Sequence, residues 1–266
     1  MSSRLAPRPY LNPYLAGTLL GTALVIAGLG FKVAAVPFHM WTPDVYQGAP
    51  TPITAFMAAA TKTVAFTVLA RVLWEAVPAQ ADQWRPALAV LAILSMVVGN
   101  VAAIAQTDLK RMLAYSSIGH AGYLLIPIVA GGAIGIQALV FYLGVYVATT
   151  LGQFAIIAVR ERETGQAATL DSIRGWGWSH PILGGSMAIF LLSLAGFPLT
   201  GGFLAKLYVF KAAVEQGYAY LAVVGVVTTV ISLAYYLRIG MALYDREHAE
   251  GHAPAPARGI GAAALV

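Results

Sequence analysis

The sequence predicts an all-α, polytopic membrane helix bundle of about seven spans, two of them broken, and three observations predict it. Of 266 residues, 59% are hydrophobic and 10% charged, with a mean hydropathy of +0.75; a soluble domain of this length is less apolar. Apolar runs of about 20 residues or more recur from end to end, the length a helix needs to cross a bilayer. The loops between them are too short to fold separately, so residues 1–266 read as a single transmembrane domain.

Composition also excludes several classes of function. Cysteine is absent, which rules out disulfides, thiolate metal sites and cysteine-held iron–sulfur clusters within the chain. The net charge of +5 comes from Arg and Lys in loops, and no basic run is interleaved with aromatics as a nucleic-acid surface would require. The opening stretch MSSRLAPRPYLNPY holds Arg4 and Arg8. The apolar run after it is too long for the core of a cleaved signal peptide.

Span 1 runs from about Leu15 to Met40, and Gly28, Gly30 and Pro37 loosen or break it. Gly17 and Gly21 form a small-xxx-small pair suited to close packing. The loop from His39 to Pro52 carries Trp41 and Tyr46, residues that favour the membrane–water boundary, and a single acid, Asp44. Span 2, about Ile53 to Ala76, reads as an unbroken helix. Lys62 lies too far from either end of it to snorkel out.

Span 3, Pro86 to Gln106, has Asn100 as its strongly polar group. The turn TDLKR leads into span 4, Met112 to Ala130, with Thr107 or Asp108 as cap and Lys110 and Arg111 at the mouth. Within AYSSIGHAGY, Ser116 and His120 are four apart and share a helix face. Span 5, Gly135 to Val159, carries a polar stripe of Tyr142, Tyr146, Thr149, Thr150 and Gln153. The polar segment RERETGQAATLDSIRGWGWSH that follows reads as interfacial, with Trp176 and Trp178 at its end.

Span 6, Pro181 to about Glu215, is longer than one crossing needs and is interrupted by GFPLTGG at 196–202, with Lys206 just past the break. Span 7, Tyr218 to Tyr244, is unbroken and contains Tyr235 and Tyr236. Residues 246–266 read as a flexible linker and the start of a further helix, so the chain looks cut short.

Spans 1 and 6 share one oddity, a Gly/Pro-broken apolar run carrying a lysine, and lie five spans apart. That pattern fits a five-helix unit repeated in inverted topology, in which broken helices mark an ion path. On this division, 1–78 holds the last two helices of a first repeat and 79–245 a whole second repeat. Arg4, Arg8, Arg71, Arg85 and Lys211 fall on one side. Lys110, Arg111, Arg160, Arg162, Arg174, Arg238, Arg246 and Arg258 fall on the other, which the charge bias makes cytoplasmic.

Lys32, Lys62 and Lys206 are the candidates for chemistry. A lysine at mid-bilayer is unfavourable by about 2.5 to 3.5 kcal/mol on insertion scales, and the acids of this chain all fall in loops or at span ends. Desolvation favours the neutral form of a lysine, which lets a neighbouring charge or water move it between two states. Lysines linked by Ser, Thr, Tyr, His and water could therefore pass protons. The alternative is that each lysine anchors a broken helix by donating to freed carbonyls. His120 stays open between a proton relay and a hydrogen-bonded packing residue, and Lys110 and Arg111 fit a topogenic role.

The runs GFKVAAVPFHMWTPDVYQGAPTPITAF, the TK at Lys62, DLKRMLAYSSIGHAGYLL and LSLAGFPLTGGFLAKLYVF closely resemble the N-subunit family of proton-pumping NADH–quinone oxidoreductase, respiratory complex I. The resemblance covers nearly all of residues 15–245 and lies within the broader antiporter-like group of membrane subunits. It implies two inverted five-helix units with half-channels meeting on a polar axis. It carries Lys32 over as the lysine of the first broken helix, Lys62 as the central lysine, Lys206 as the lysine of the second broken helix, and His120 as part of the axis. It also implies that six earlier helices are missing, among them one with a glutamate that pairs with a lysine here. Quinone, flavin and iron–sulfur clusters are expected in partner subunits, with no cofactor in this chain. The expected setting is the bacterial plasma membrane beside other membrane subunits of complex I. A cation/proton antiporter or a membrane-bound hydrogenase subunit is the alternative.

Overall fold

The computed structural model describes residues 13–248. The expectations resting on Arg4, Arg8, Arg258 and the start of a further helix after residue 248 lie outside the described residues. Among the described residues, eleven α-helices follow in order: α1 (Pro13–Val33), α2 (Trp41–Gly48), α3 (Thr51–Phe56), α4 (Lys62–Arg71), α5 (Ala81–Ile104), α6 (Leu109–Ala130), α7 (Gly132–Thr164), α8 (Trp176–Ser179), α9 (Pro181–Ala195), α10 (Gly201–Glu215) and α11 (Ala219–Leu243). Among the described residues, six helical segments are long and apolar enough to cross a membrane. The seventh crossing is composite: α9 and α10 have 15 residues each, about 22 Å at 1.5 Å per residue, so neither alone spans a hydrocarbon core of about 30 Å.

The centre of the bundle is α6. Every residue of α6 except Arg111 and Tyr115 is buried, so its polar side chains face protein. Its closest neighbour is α5, brought in by glycine: a Cβ on Gly99 would lie 2.3 Å from the backbone nitrogen of Gly119. Only a residue without a side chain permits that approach.

The first break lies later than the sequence suggests. Helix α1 runs unbroken through Gly28 and Gly30 and ends at Val33; the chain turns over 34–40, and α2 restarts at Trp41. Pro37 has no N–H to continue a helix, and the freed N–H of Val36 donates to Ser95 Oγ at 2.9 Å. The segment after the break is thus a half-helix with one buried face, formed by Thr42, Pro43 and Tyr46, in place of the expected boundary loop. Tyr46 is fully buried, edge-on to Phe154 with ring centroids 6.3 Å apart. Tyr46 packs edge-on between Trp41 and Phe154, which turns it inward, whereas Trp41 is only half-buried.

Lys62 does not sit in a regular helix. A π-helical turn, Met57–Thr61, separates α3 from α4 directly before it. A π turn carries one extra residue, which shifts the faces before and after it by about 100°. Lys62 falls on the buried side with Phe66, Leu69 and Leu73.

The segment between α7 and α9 is tied down at the bundle end. Leu109 N–H donates to Ala168 O at 3.0 Å and Leu170 N–H to Thr107 O at 2.9 Å. Trp176 is buried there, with its indole N–H on Glu163 Oε2 at 2.9 Å, whereas Trp178 is exposed. Only one of the two tryptophans expected at the boundary faces outward. The other fills the space under the turn and stacks on His180.

The second break falls where GFPLTGG predicts it. Gly196 takes φ +80° at the end of α9, and Thr200 caps α10 by accepting from Phe203 N–H at 3.3 Å. A Cβ on Gly202 would lie 1.7 Å from the carbonyl oxygen of Ser193, so the two half-helices meet backbone to backbone.

Candidate functional site: a buried lysine, histidine and tyrosine network

The site is built on α6 and closed by α4, α5, α7, α10 and α11. Lys62 is 1% exposed and its Nζ donates to both the carbonyl and the hydroxyl of Ser117, each at 2.9 Å. Next along α6, Ser116 is hydrogen-bonded to the hydroxyl of Tyr236 on α11. The same Tyr236 hydroxyl lies 2.9 Å from His120 Nε2, and the other ring nitrogen, Nδ1, lies 2.8 Å from the hydroxyl of Tyr142 on α7. The shared face of Ser116 and His120 is therefore real, and one tyrosine bridges both.

A neutral imidazole has one donor and one acceptor nitrogen, and a phenol can serve either. With a phenol on each nitrogen, His120 can exchange its tautomer by taking a proton on one side and releasing it on the other.

A second branch runs through Asn100. Its Oδ1 accepts from Tyr235 OH at 2.9 Å, and its Nδ2 lies 3.4 Å from Tyr123 OH. The Tyr123 hydroxyl donates to Thr228 Oγ1 at 3.0 Å. Above the Tyr123 ring, 4.8 Å from its centroid, sits the ammonium of Lys206, 4% exposed. Lys206 Nζ also donates at 3.2 Å to the carbonyl of Ala195, the last residue of α9. The anchoring role and the deep placement thus coincide in this one side chain.

Neither Lys62 nor Lys206 has a carboxylate partner among the described residues. The acids pair elsewhere: Glu161 with Lys110 at 3.3 Å, Asp44 with Arg111, and Glu163 with Arg160 and His180. Lys110 is itself buried and donates to Ala49 O at 3.1 Å, and Thr51 donates to Glu161, so these groups lock α3, α6 and α7 together at one end. The site holds two buried cations with neutral groups that can both donate and accept set between them.

Lys32 is placed differently. It is exposed on the flank of the bundle, in an apolar cleft lined by Leu29, Phe56, Ala60, Thr61 and Val64. The fold brings Lys62, His120 and Lys206 around α6 and leaves Lys32 on the outer side of the first break. Sequence reasoning missed Ser117 and Tyr123 and named Tyr236 and Asn100 without a partner. One available signal was the row 116, 120, 123 on α6, which continues the polar face by one more turn.

Comparison with known proteins supplies a context. Residues 11–232 match the family model described as NADH:quinone oxidoreductase/Mrp antiporter, transmembrane. NADH-quinone oxidoreductase subunit N of Rhodospirillum rubrum is 47% identical over 234 residues, covering 88% of this chain and 48% of that protein. A chain of respiratory complex I from Thermus thermophilus is 42% identical with a TM-score of 0.75, over 90% of this chain and 52% of the other. A chain of the Mrp complex from Dietzia sp. DQ12-45-1b is 26% identical with a TM-score of 0.80, over 92% of this chain and 44% of its own length. The chain spans about half the length of the relatives it matches.

Proposed function

Because this chain belongs to the NADH:quinone oxidoreductase/Mrp antiporter transmembrane family, we propose that it forms part of a proton-translocating membrane subunit of NADH–quinone oxidoreductase. Protons move along the Lys62, His120 and Lys206 network, driven by quinone reduction elsewhere in the complex. The observation that carries this reading is the pair of buried lysines without carboxylate partners among the described residues, set at two sides of a group of Ser, Tyr, His and Asn side chains. A buried cation kept only for packing has no need of such a chain, and intramembrane ionisable residues mark ion paths.

Lys32 is the third proton-carrying lysine on this reading, and its partner comes from outside the described residues, over the cleft between α1 and α4. The breaks at 34–40 and 196–200, each followed or preceded by a lysine, support an inverted repeat that divides near residue 78. The partners are other membrane subunits of the complex, the quinone, flavin and iron–sulfur chemistry lies in partner subunits, and the setting is a bacterial plasma membrane. Identity near 47% to N subunits, against 26% to the Mrp chain, favours the oxidoreductase over an antiporter.

The test is ion specificity. The assembled complex containing the full-length subunit, in sealed vesicles, should acidify one side during NADH oxidation in sodium-free medium. An absolute requirement for Na⁺ would overturn the reading in favour of cation/proton exchange.

A further inference from the structure

The polar stripe on α7 contains groups that the network above does not use. Tyr146 OH, Thr150 Oγ1 and Gln153 Nε2 are buried and make no hydrogen bond among the described residues. At positions 146, 150 and 153 they line one face of the helix. A buried polar group left unpaired costs about 1 to 3 kcal/mol, so three on one face call for a common partner.

They border a small cavity of about 10 Å³ between α6 and α7, whose other polar walls are Ser116 and Ser117. Leu113, Phe154 and Leu194 complete the lining. Space of this size is at the lower limit for one water, which needs two to four polar partners. Here the five polar residues of the wall offer both donors and acceptors.

The two serines give the cavity its meaning. Ser117 receives the ammonium of Lys62, and Ser116 is bonded to Tyr236 and through it to His120. The direct hydrogen bonds stop between these adjacent serines, since Ser117 Oγ donates back to Ala114 O at 2.7 Å. We propose that the cavity is a binding site for a single ordered water that joins the Lys62 branch to the His120 branch, with Thr150 and Gln153 as its positioning residues. The water accepts from Gln153 Nε2 and from Ser116 Oγ and donates to Ser117 Oγ and to Thr150 Oγ1, so it touches both serines. This assignment of Thr150 and Gln153 rests on the proton-transfer reading given above.

Two measurements on the assembled complex with the full-length subunit test it. A map sharp enough to reveal other buried waters should contain density within hydrogen-bond reach of Thr150 Oγ1 and Gln153 Nε2; an empty cavity in such a map overturns the proposal. Thr150→Val, which keeps the shape and removes the hydroxyl, should slow proton translocation about tenfold, the effect of about 1.4 kcal/mol on a barrier, and Thr150→Ser should restore it. Wild-type translocation in Thr150→Val, with Lys62→Met inactive, removes the water from the path and leaves the lysine reading standing. Wild-type translocation in Lys62→Met sinks the lysine reading, whatever the map contains. If Thr150→Val does not assemble, the density in the wild-type complex decides alone.

Discussion

Replacing Lys62 by Met separates transport from architecture. Met has nearly the same length and is at home in an apolar core, so the change removes the ammonium without opening a large void. Two charge-assisted hydrogen bonds to Ser117 are lost, worth about 1.5 to 3 kcal/mol each. Against this, placing a lysine at mid-bilayer costs about 2.5 to 3.5 kcal/mol, which Met does not incur. The groups left behind are not stranded, because Ser117 Oγ keeps its bond to Ala114 O. The two sides partly offset, and the subunit should lose no more than about 3.5 kcal/mol of stability. The assay is the amount and thermal stability of the assembled complex, measured beside the number of protons moved per NADH oxidised. Near-normal assembly with depressed pumping is expected. A complex that fails to assemble would make Lys62 a structural anchor, and a normal proton yield in an assembled variant would refute the role of Lys62 in transfer.

Other outcomes follow from the same geometry. Lys206→Arg should abolish proton transfer although it keeps the charge, because a guanidinium does not deprotonate near neutral pH; wild-type pumping in that variant would leave Lys206 only its bond to the Ala195 carbonyl. Tyr236→Phe removes the hydroxyl shared by Ser116 and His120, so its effect on pumping should overlap with that of Ser116→Ala, and strictly additive losses in the double variant would count against one continuous path. Gly202→Ala drives a Cβ into the Ser193 carbonyl and should destabilise the subunit by about 2 kcal/mol or more. Gly144→Ala meets nothing within 4 Å and should be neutral or slightly stabilising by thermal unfolding.

The parts of the site legible in sequence are those whose signal is local. Lys62 and Lys206 stand out because charge is rare in apolar runs, and Ser116 with His120 because helix spacing puts them on one face. GFPLTGG announces a break by its glycines and proline alone. Contacts between spans leave no such trace: Tyr236 is 116 residues from His120, and Tyr235 is 135 residues from Asn100. Tyr46 was assigned to the boundary because an isolated aromatic near a span end has the same composition whether it faces lipid or Phe154. The π turn before Lys62 is equally silent, since MAAAT suits an α-helix by propensity and only packing of the next helix selects the wider turn. Lys32 looks like its two counterparts in sequence, and what differs is which neighbours the described residues supply.

The burial of α6 on nearly every side has a consequence for how the protein is made. It is the least apolar of the six long spans, carrying Lys110, Arg111, two serines and a histidine, so lipid is a poor solvent for it on its own. During synthesis it enters the bilayer most favourably as the second arm of a hairpin with α5, already pressed against Gly99. The polar side chains of α6 therefore make its insertion depend on a partner helix arriving first.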